Sequence, residues 1–283
     1  MSIISIQSSV AYGHVGNSAA VFPMQRLGFE VWPVNTVHFS NHTGYGEWRG
    51  PVLAQRDVRE VLLGVEERGA FSGCGAILSG YMGDVSLGGI VIDTARKVRS
   101  GNGSALYCCD PVMGDVGRGF FVRPGIPEFM KGVAVPQADV ITPNQFELEY
   151  LTGTEIKSLD DALRAADAAR RLGPELVLLT SLQRPDAPEG TIEMLAVSGE
   201  GAWLVGTPEL PVSVNGAGDA TAALFLAHNL LSGSPAGALS KTAATIFSIL
   251  ERTSREKSRE ILLVASQEDI AEPDERFPVK RVR

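Results

Sequence analysis

A tight glycine turn followed by a carboxylate is the segment of this sequence whose residue types best suit catalysis. Within SVNGAGDATAA, residues 213–223, the turn is Gly216, Ala217 and Gly218, and the carboxylate is Asp219. Glycine lets the backbone turn sharply or approach another group closely, and the apolar run that follows has helical spacing. Because the free N–H groups at a helix start favour an anion, the pattern indicates a phosphate site with an acid beside it.

Asp219 could serve such a site as a general base. A hydroxyl that attacks a γ-phosphate needs a proton acceptor within hydrogen-bond reach, and the charge that develops on the phosphate needs N–H donors. The alternative is structural, because an Asp in the first turn of a helix also complements the helix dipole. On this stretch alone the structural interpretation is the stronger. The choice between a structural and a catalytic Asp219 therefore depends on the other segments of the chain.

Carboxylates and hydroxyls stand at the ends of several predicted strands. Asp110, Thr142 and Thr180 are in such positions, and ligands of parallel sheets bind beyond the carboxyl ends of the strands. Asp110, together with Asp115 and Glu147, could hold Mg²⁺, which takes oxygen ligands and needs few carboxylates when phosphate is present. The alternatives are that Asp110 caps the turn after its strand and that Glu147 lies on a solvated helix face.

A second group of residues has the types needed to bind a flat polar heterocycle. Ser8, His42, Thr43 and Tyr81 would supply hydrogen-bonding groups and an aromatic wall. The alternative for His42 and Tyr81 is a half-buried side chain with its polar tip satisfied, which spacing alone favours.

Alternating strands and helices must position these residues. The predicted strands are 2–7, 30–36, 74–80, 104–110, 138–143 and 175–180, and the predicted helices lie near 16–27, 55–69, 86–99, 144–152 and 158–172. Two later runs, 191–198 and 201–206, are spaced like an antiparallel pair at a sheet edge, and helices follow near 217–232 and 235–251. This alternation predicts an α/β protein in which a mostly parallel sheet has helices on both faces. One domain over residues 1–283 is the simplest organisation.

Composition limits the classes of function. The formal net charge of −8 disfavours a nucleic-acid or anionic-membrane partner. Three cysteines, two of them adjacent, do not form a disulfide framework and indicate core thiols in a reducing compartment. We see no signal-peptide pattern and no membrane-spanning run, so we expect a cytoplasmic protein. The last stretch, from residue 255 onward, predicts only a charged helix or strand and a polar tail.

The motifs in order resemble one kinase family. The chain has neither the Gly-Lys-Ser/Thr of a Walker A loop nor a complete GxGxxG after its first strand. Instead, GAGD before an Ala-rich helix resembles the phosphoryl-transfer signature of the ribokinase-like superfamily. The segments FSNHTGYG, SGYMGD, CDPVMGD and ITPNQFELEYLTG look like those of the pyridoxal kinases. The likeness extends to about residue 250.

This resemblance implies a ribokinase-like three-layer sandwich and an ATP- and Mg²⁺-dependent transfer to the 5′-hydroxymethyl group of pyridoxal, with pyridoxine and pyridoxamine as further candidate substrates. It also suggests a homodimer. Asp219 would be the base and Gly216 to Gly218 the anion cradle. The substrate would be bound by Ser8, Val15, Phe39, His42, Thr43, Gly44 and Tyr81. ATP would be bound by Asp110, Asp115, Thr142, Asn144, Glu147, Thr180, Ser181, Thr207, Pro208, Glu209 and Leu210, with Asp110 and Glu147 on the metal.

The chain departs from the family pattern at a position that would help to neutralise the ATP phosphates. Many bacterial members carry a Lys after the sixth core strand, where it reaches the ATP phosphates, whereas this chain has Thr180 and Ser181. A monovalent cation is one hypothesis for offsetting the charge. The Gly-rich segment 114–125 is expected to be a mobile lid over the phosphates.

Two other functions stay open. One is a hydroxymethylpyrimidine kinase of the same fold, against which FSNHTGYG argues. The other is a non-catalytic protein that binds vitamin B6, against which the retained Asp219 and its glycines argue.

Overall fold

A nine-stranded sheet forms the centre of the molecule, which a computed structural model describes over residues 1–283. The strands are β1 (Ser2–Val10), β2 (Glu30–Phe39), β3 (Cys74–Ser79), β4 (Leu106–Cys109), β5 (Gly114–Asp115), β6 (Gly119–Phe120), β7 (Val140–Ile141), β8 (Leu176–Leu182), β9 (Thr191–Ser198), β10 (Gly201–Pro208) and β11 (Lys280–Arg281). The order across the sheet is β11-β10-β9-β8-β7-β4-β3-β1-β2, and β5 and β6 form a separate hairpin.

Helices cover both faces of this sheet. They are α1 (Asn17–Arg26), α2 (Gln55–Glu67), α3 (Gly88–Gly101), α4 (Ile126–Phe129), α5 (Val135–Gln137), α6 (Gln145–Thr152), α7 (Leu159–Arg170), α8 (Ala217–Ser232), α9 (Pro235–Arg255) and α10 (Gln267–Ala271). Successive side chains of a strand point to opposite faces. Ile4 of β1 therefore packs in the core with α2, α3 and α7, whereas its neighbour Ile3 packs with α1, α8 and α9.

The predicted three-layer arrangement is confirmed. The pairings from β2 through β1, β3, β4 and β7 to β8 are parallel, and those from β8 through β9 and β10 to β11 are antiparallel. Every predicted strand and helix is present with ends shifted by a few residues. The three cysteines are buried and free, as predicted. None of the helices has the length and apolar character needed to cross a membrane.

The expectation of a polar tail at the end of the chain is wrong in part. Lys280 and Arg281 pair with Trp203 and Leu204 of β10, so they extend the sheet by one short strand. The Arg283 guanidinium also donates to Asp167 of α7. Pairing of this kind depends on an available sheet edge far away in sequence, and no local pattern signals it.

One of the helices that carry the site contains a buried histidine. His228 lies in the middle of α8 and is 2% exposed, and its Nε2 has no hydrogen-bond partner. Burial, with help from the nearby Lys241 charge, lowers the pKa of His228 from 6.5 to about 4. The histidine is therefore neutral in the folded protein at pH values where it is protonated in the unfolded chain.

We expect His228 to make the fold less stable in mild acid. Between pH 6.5 and pH 4 the unfolded chain binds a proton that the folded chain does not, so stability falls as pH decreases through this window. From pH 7 to pH 5 the loss should be about 2 kcal/mol. Urea unfolding at both pH values should show this loss reduced in His228→Gln and unchanged in His38→Gln, since His38 is exposed. An equal loss in all three proteins would contradict the assignment.

Candidate active site

One cavity of about 600 Å³ opens at the carboxyl ends of the parallel strands. It is lined by all but one of the residues singled out from the sequence: Ser8, Val15, Phe39, His42, Thr43, Tyr81, Asp110, Asp115, Thr142, Asn144, Glu147, Thr180, Ser181, Thr207, Pro208, Glu209, Leu210, Gly216, Ala217, Gly218 and Asp219. Gly44 is exposed at the rim, close to His42 and to Asn215. The fold thus brings the predicted heterocycle side and phosphate side into one space.

The glycine turn is pressed against the loop that follows β1. Gly216 has φ of 89°, and a Cβ placed on it would lie 1.8 Å from the main-chain oxygen of His14. No side chain can occupy that position without moving one of the two loops. In the same loop, Gly16 has φ of 53°, and a Cβ there would lie 2.2 Å from the carbonyl oxygen of Ser8. Glycine at both positions lets the starts of α1 and α8 meet.

Asp219 lies where these two helix starts meet. Burial raises the pKa of its carboxyl, while hydrogen bonds from the backbone N–H groups of Gly16 and of Asp219 itself lower it. Its carboxylate is half-buried beside the free N–H groups at the start of α8. A carboxylate in such a place can accept a proton next to a bound anion.

Asp110 forms the acidic edge opposite Asp219. Its side chain is 6% exposed, and its Oδ1 accepts a hydrogen bond of 3.1 Å from Thr142 Oγ1. Burial raises the pKa of Asp110 well above its ordinary range, and the charges of Glu147 and Asp219 raise it further. A group held among like charges in this way binds a cation well.

Glu147 is buried, so the alternative of a solvated helix face is wrong. Glu147 is 3% exposed, and burial raises its pKa to about 8 although backbone hydrogen bonds oppose the shift. Its Oε1 accepts from the N–H of Met113 at 2.8 Å, and its Oε2 accepts from the N–H of Asn144 at 3.0 Å. Because Asn144 Oδ1 accepts in return from the Glu147 N–H, the two residues form a capping box at the start of α6.

No group of three or more His, Cys, Asp or Glu side chains is arranged to hold a metal ion by itself. Asp115 is exposed on the hairpin. Mg²⁺ in kinase sites commonly uses one or two carboxylates together with phosphate oxygens and waters. Asp110 fits that role, since Thr142 is the only hydrogen-bond donor to its carboxylate.

β8 ends in a strained bulge beside the cavity. Ser181 has φ of 51°, which is unusual for a residue with a side chain, and the register with β9 shifts between Leu179 and Leu182. The preceding residue, Thr180, donates its N–H to the Pro143 carbonyl at 2.9 Å, so the bulge is fixed to the start of α6. Strain held by surrounding contacts is common at functional sites.

The side of the cavity next to β1 and β2 is apolar. Val15 and Tyr81 pack on the cluster of Val10, Val37 and Phe39, and burial raises the pKa of the Tyr81 hydroxyl. The opposite side has a second apolar wall, in which Val212 and Val214 face residues of α9. The sequence analysis did not identify this wall, because apolar residues that line a cavity have the same pattern as core residues.

Glu260 is a residue of the site region that sequence reasoning missed. Its carboxylate contacts His42 Nε2 at 3.0 Å, accepts from Tyr45 Oη at 2.7 Å and accepts from the His14 N–H at 3.0 Å. The hydrogen bond from Tyr45 to Glu260 raises the pKa of that hydroxyl to about 12. Glu260 therefore fastens the loops after β1 and β2 to the segment between α9 and α10. It stands in a run of charged residues that resembles an ordinary solvated segment.

Comparisons with known sequences find kinases over the whole chain. The profile of the phosphomethylpyrimidine kinase family matches residues 77–259. Pyridoxal kinase PdxY of Rubrobacter xylanophilus is 67% identical over 283 residues, which cover 100% of this chain and 98% of that protein. Pyridoxal kinase PdxY of Leifsonia xyli is 54% identical over 282 residues, with 100% of both proteins covered.

Solved structures agree with the sequence comparisons. Pyridoxal kinase from Leishmania donovani in complex with ADP and ginkgotoxin has a TM-score of 0.93 at 28% identity, covering 100% of this chain and 99% of that chain. The complex of the Leishmania donovani kinase with ADP and pyridoxamine has a TM-score of 0.92 at 28% identity and the same coverage. The ribokinase-like fold implied by the motifs is thereby confirmed.

The close approach at Gly216 predicts a stability difference between two glycines of the same conformation. Gly28 has φ of 90° and nothing within 4 Å of an added Cβ, whereas Gly216 has φ of 89° and meets His14. Gly28→Ala should cost about 1 kcal/mol of backbone strain, and Gly216→Ala should cost roughly 3 kcal/mol because the loops must also separate. Urea unfolding measures both, and equal losses would show that the two loops do not constrain each other.

Proposed function

This chain belongs to the pyridoxal kinase family, and from that premise we propose how its cavity transfers a phosphoryl group. The enzyme phosphorylates the 5′-hydroxymethyl group of pyridoxal with ATP. The observation that carries the mechanism is the position of Asp219, half-buried at the start of α8 directly after a glycine turn. We propose that the Asp219 carboxylate accepts the proton of the attacking hydroxyl. The N–H groups of Gly216, Ala217 and Gly218 face the transferred phosphate.

The metal is the next part of the proposal. Asp110 would ligate Mg²⁺, because one of its oxygens has no hydrogen-bond donor and the surrounding carboxylates favour a cation. Glu147 would lie next to the metal and hold the loop at Met113, since both of its oxygens already accept backbone N–H groups. Mg²⁺ neutralises charge on the phosphates when it is bound. A monovalent cation is a further candidate source of positive charge near the nucleotide.

Two sets of residues would bind the two substrates. The pyridoxal ring would lie against Val15, Phe39 and Tyr81, with polar contacts from Ser8, His42, Thr43 and Gly44. ATP would lie along Asp115, Thr142, Asn144, Thr180, Ser181, Thr207, Pro208, Glu209 and Leu210. Glu209 Oε1 accepts a hydrogen bond of 3.0 Å from Gln183, which ties the segment after β10 to the bulge of β8.

The proposal also includes the domain organisation, the oligomeric state and the cellular location. We propose a single kinase domain over residues 1–283, on the ground that one sheet extends from Ser2 to Arg281. A homodimer and a cytoplasmic location follow from the family resemblance and from three free cysteines. Sedimentation of the purified protein tests the dimer, and a monomer at all concentrations would exclude it.

The experiment that tests the function is ADP release with Mg²⁺ and ATP against pyridoxal, pyridoxine, pyridoxamine and hydroxymethylpyrimidine in parallel. The pyrimidine is included because the matching family profile is that of the phosphomethylpyrimidine kinases. We expect substrate-dependent ADP with pyridoxal, lost with a chelator and restored by Mg²⁺. Activity confined to the pyrimidine would favour the second candidate function. Pyridoxal binding without ADP release from any substrate would favour a non-catalytic binding protein.

Replacing the proposed base should remove turnover while sparing nucleotide binding. Asp219→Asn keeps the size of the side chain but cannot take the proton, so we expect kcat to fall ~100-fold or more. Asp160→Asn is the matched control, because Asp160 is also in the first turn of a helix but outside the cavity. Steady-state ADP release and calorimetric ATP binding measure the two effects. A near-normal kcat in Asp219→Asn would exclude Asp219 as the base.

Glu260→Gln should weaken pyridoxal binding more than ATP binding. The substitution removes the negative charge beside His42. It also replaces one of the two carboxylate oxygens that His14, His42 and Tyr45 contact, so the loops that line the pyridoxal side of the cavity lose their fixed arrangement. We expect the KM for pyridoxal to rise ~10-fold, as for loss of a charged hydrogen bond, with the KM for ATP unchanged. Glu256→Gln, which alters an exposed residue nearby, is the control. A parallel rise in both KM values would indicate a general loss of structure instead.

A further inference from the structure

The cavity is lined by many more acidic than basic side chains. Six carboxyl groups line it, and they belong to Asp110, Asp115, Glu147, Glu193, Glu209 and Asp219. Among the lining residues, Arg118 is the only lysine or arginine. A nucleoside triphosphate adds several negative charges to this space. Charge repulsion at such short range costs several kcal/mol unless cations are present, and one Mg²⁺ does not balance the sum.

The arginine that follows β8 is already paired with carboxylates. Arg184 follows β8, and its side chain is 8% exposed. Its Nε and Nη2 donate to both oxygens of Glu193 at 2.7 and 3.0 Å, and its Nη1 lies 2.7 Å from Asp186. Arg184 therefore cancels the charge of Glu193 and has no free face for a phosphate. The end of β8 itself offers only Thr180 and Ser181.

Arg118 differs from Arg184 because no carboxylate is paired with it, and it is the arginine that lines the cavity. It lies at the tip of the β5–β6 hairpin between Gly117 and Gly119, which have φ of 77° and 69°. Its guanidinium carbon is 5.3 Å from the centre of the Phe121 ring, and its side chain is exposed. A guanidinium in this state is free to bind a phosphate with several donors at once.

The base of the hairpin is joined to α6 by hydrogen bonds and ring packing. Glu147 accepts from the N–H of Met113, and Asn144 Nδ2 donates to the carbonyl of Gly114 at 2.8 Å. The Phe120 ring packs edge-on against Phe146, with 5.0 Å between the ring centres. These contacts connect the hairpin to α6, whose first turn carries Glu147. Arg118 lies beyond these contacts, between the two glycines, and it lines the cavity.

We propose that Arg118 is a catalytic residue that binds the γ-phosphate of ATP, an inference that rests on the proposed kinase function. As the pyridoxal hydroxyl oxygen forms its bond to the γ-phosphorus, the bond from that phosphorus to the bridging oxygen breaks and its electron pair leaves with ADP. The hydroxyl proton passes to Asp219. Arg118 donates hydrogen bonds to the γ-phosphate oxygens throughout and supplies the positive charge that Thr180 and Ser181 do not.

The test compares Arg118→Gln with Arg118→Lys and with Arg123→Gln. Arg123 is an exposed arginine of the same segment that pairs with Asp84 and does not line the cavity. Calorimetry in Mg²⁺ gives the Kd of ADP and of a non-hydrolysable ATP analogue. We expect Arg118→Gln to raise the Kd of the analogue ~10-fold and leave that of ADP unchanged. We also expect kcat to fall ~100-fold, with partial recovery in Arg118→Lys and normal values in Arg123→Gln.

Two results would overturn the proposal. If Arg118→Gln weakened ADP and the analogue equally, the residue would not contact the γ-phosphate. If kcat were normal in Arg118→Gln, it would not be catalytic. The binding measurements need no pyridoxal, so they judge Arg118 even if the wild-type protein proves to phosphorylate a different alcohol. Thermal unfolding of each variant checks that an exposed tip residue leaves the fold intact.

Discussion

Burial of like charges at one edge of a parallel sheet is the constraint on which the rest of this structure depends. Asp110 and Glu147 are almost fully buried, and burial raises the pKa of Asp110, with further increases from the charges of Glu147 and Asp219. Such an arrangement is unfavourable by itself, and the large apolar cores on both faces of the sheet hold it in place. The site is in this sense prepared for cations, since a divalent ion and a guanidinium would relieve the repulsion that folding creates.

Backbone geometry decides how close the reacting groups can come. α1 and α8 begin at adjacent points only because Gly16 and Gly216 carry no side chain there. Asp219 receives a hydrogen bond from the Gly16 N–H at that junction. The capping box of Glu147 and Asn144 fixes backbone positions near Asp110. One buried carboxyl group holds both the start of α6 and the base of the β5–β6 hairpin. Gly16, Gly216 and Glu147 therefore determine how closely the loops and helix starts around the cavity approach one another.

The sequence was sufficient for the sheet, the helices and the composition of the cavity lining, because strand–helix periodicity and motifs at strand ends are local signals. It failed where a residue depends on a distant partner. Glu260 and the strand Lys280–Arg281 looked like solvated charges, since their partners are about 220 and 80 positions away. A solvated face remained an alternative for Glu147, because its partners are the N–H groups of Met113 and Asn144, which leave no mark on side-chain patterns. The sequence showed Arg118 only as a residue of a Gly-rich loop, because its position as the single basic residue of the cavity lining depends on the fold.

The contact of Glu260 with the loops after β1 and β2 also has a consequence for co-translational folding. His42 and Tyr45 are made early, but the carboxylate that fixes them is added more than two hundred residues later. Domains fold as synthesis proceeds, from the N-terminus onward. Until residue 260 is made, the His42 and Tyr45 side chains lack this carboxylate partner. A chain that stops short of residue 260 therefore contains Asp219 and its glycine turn but lacks the contact that joins the loops after β1 and β2.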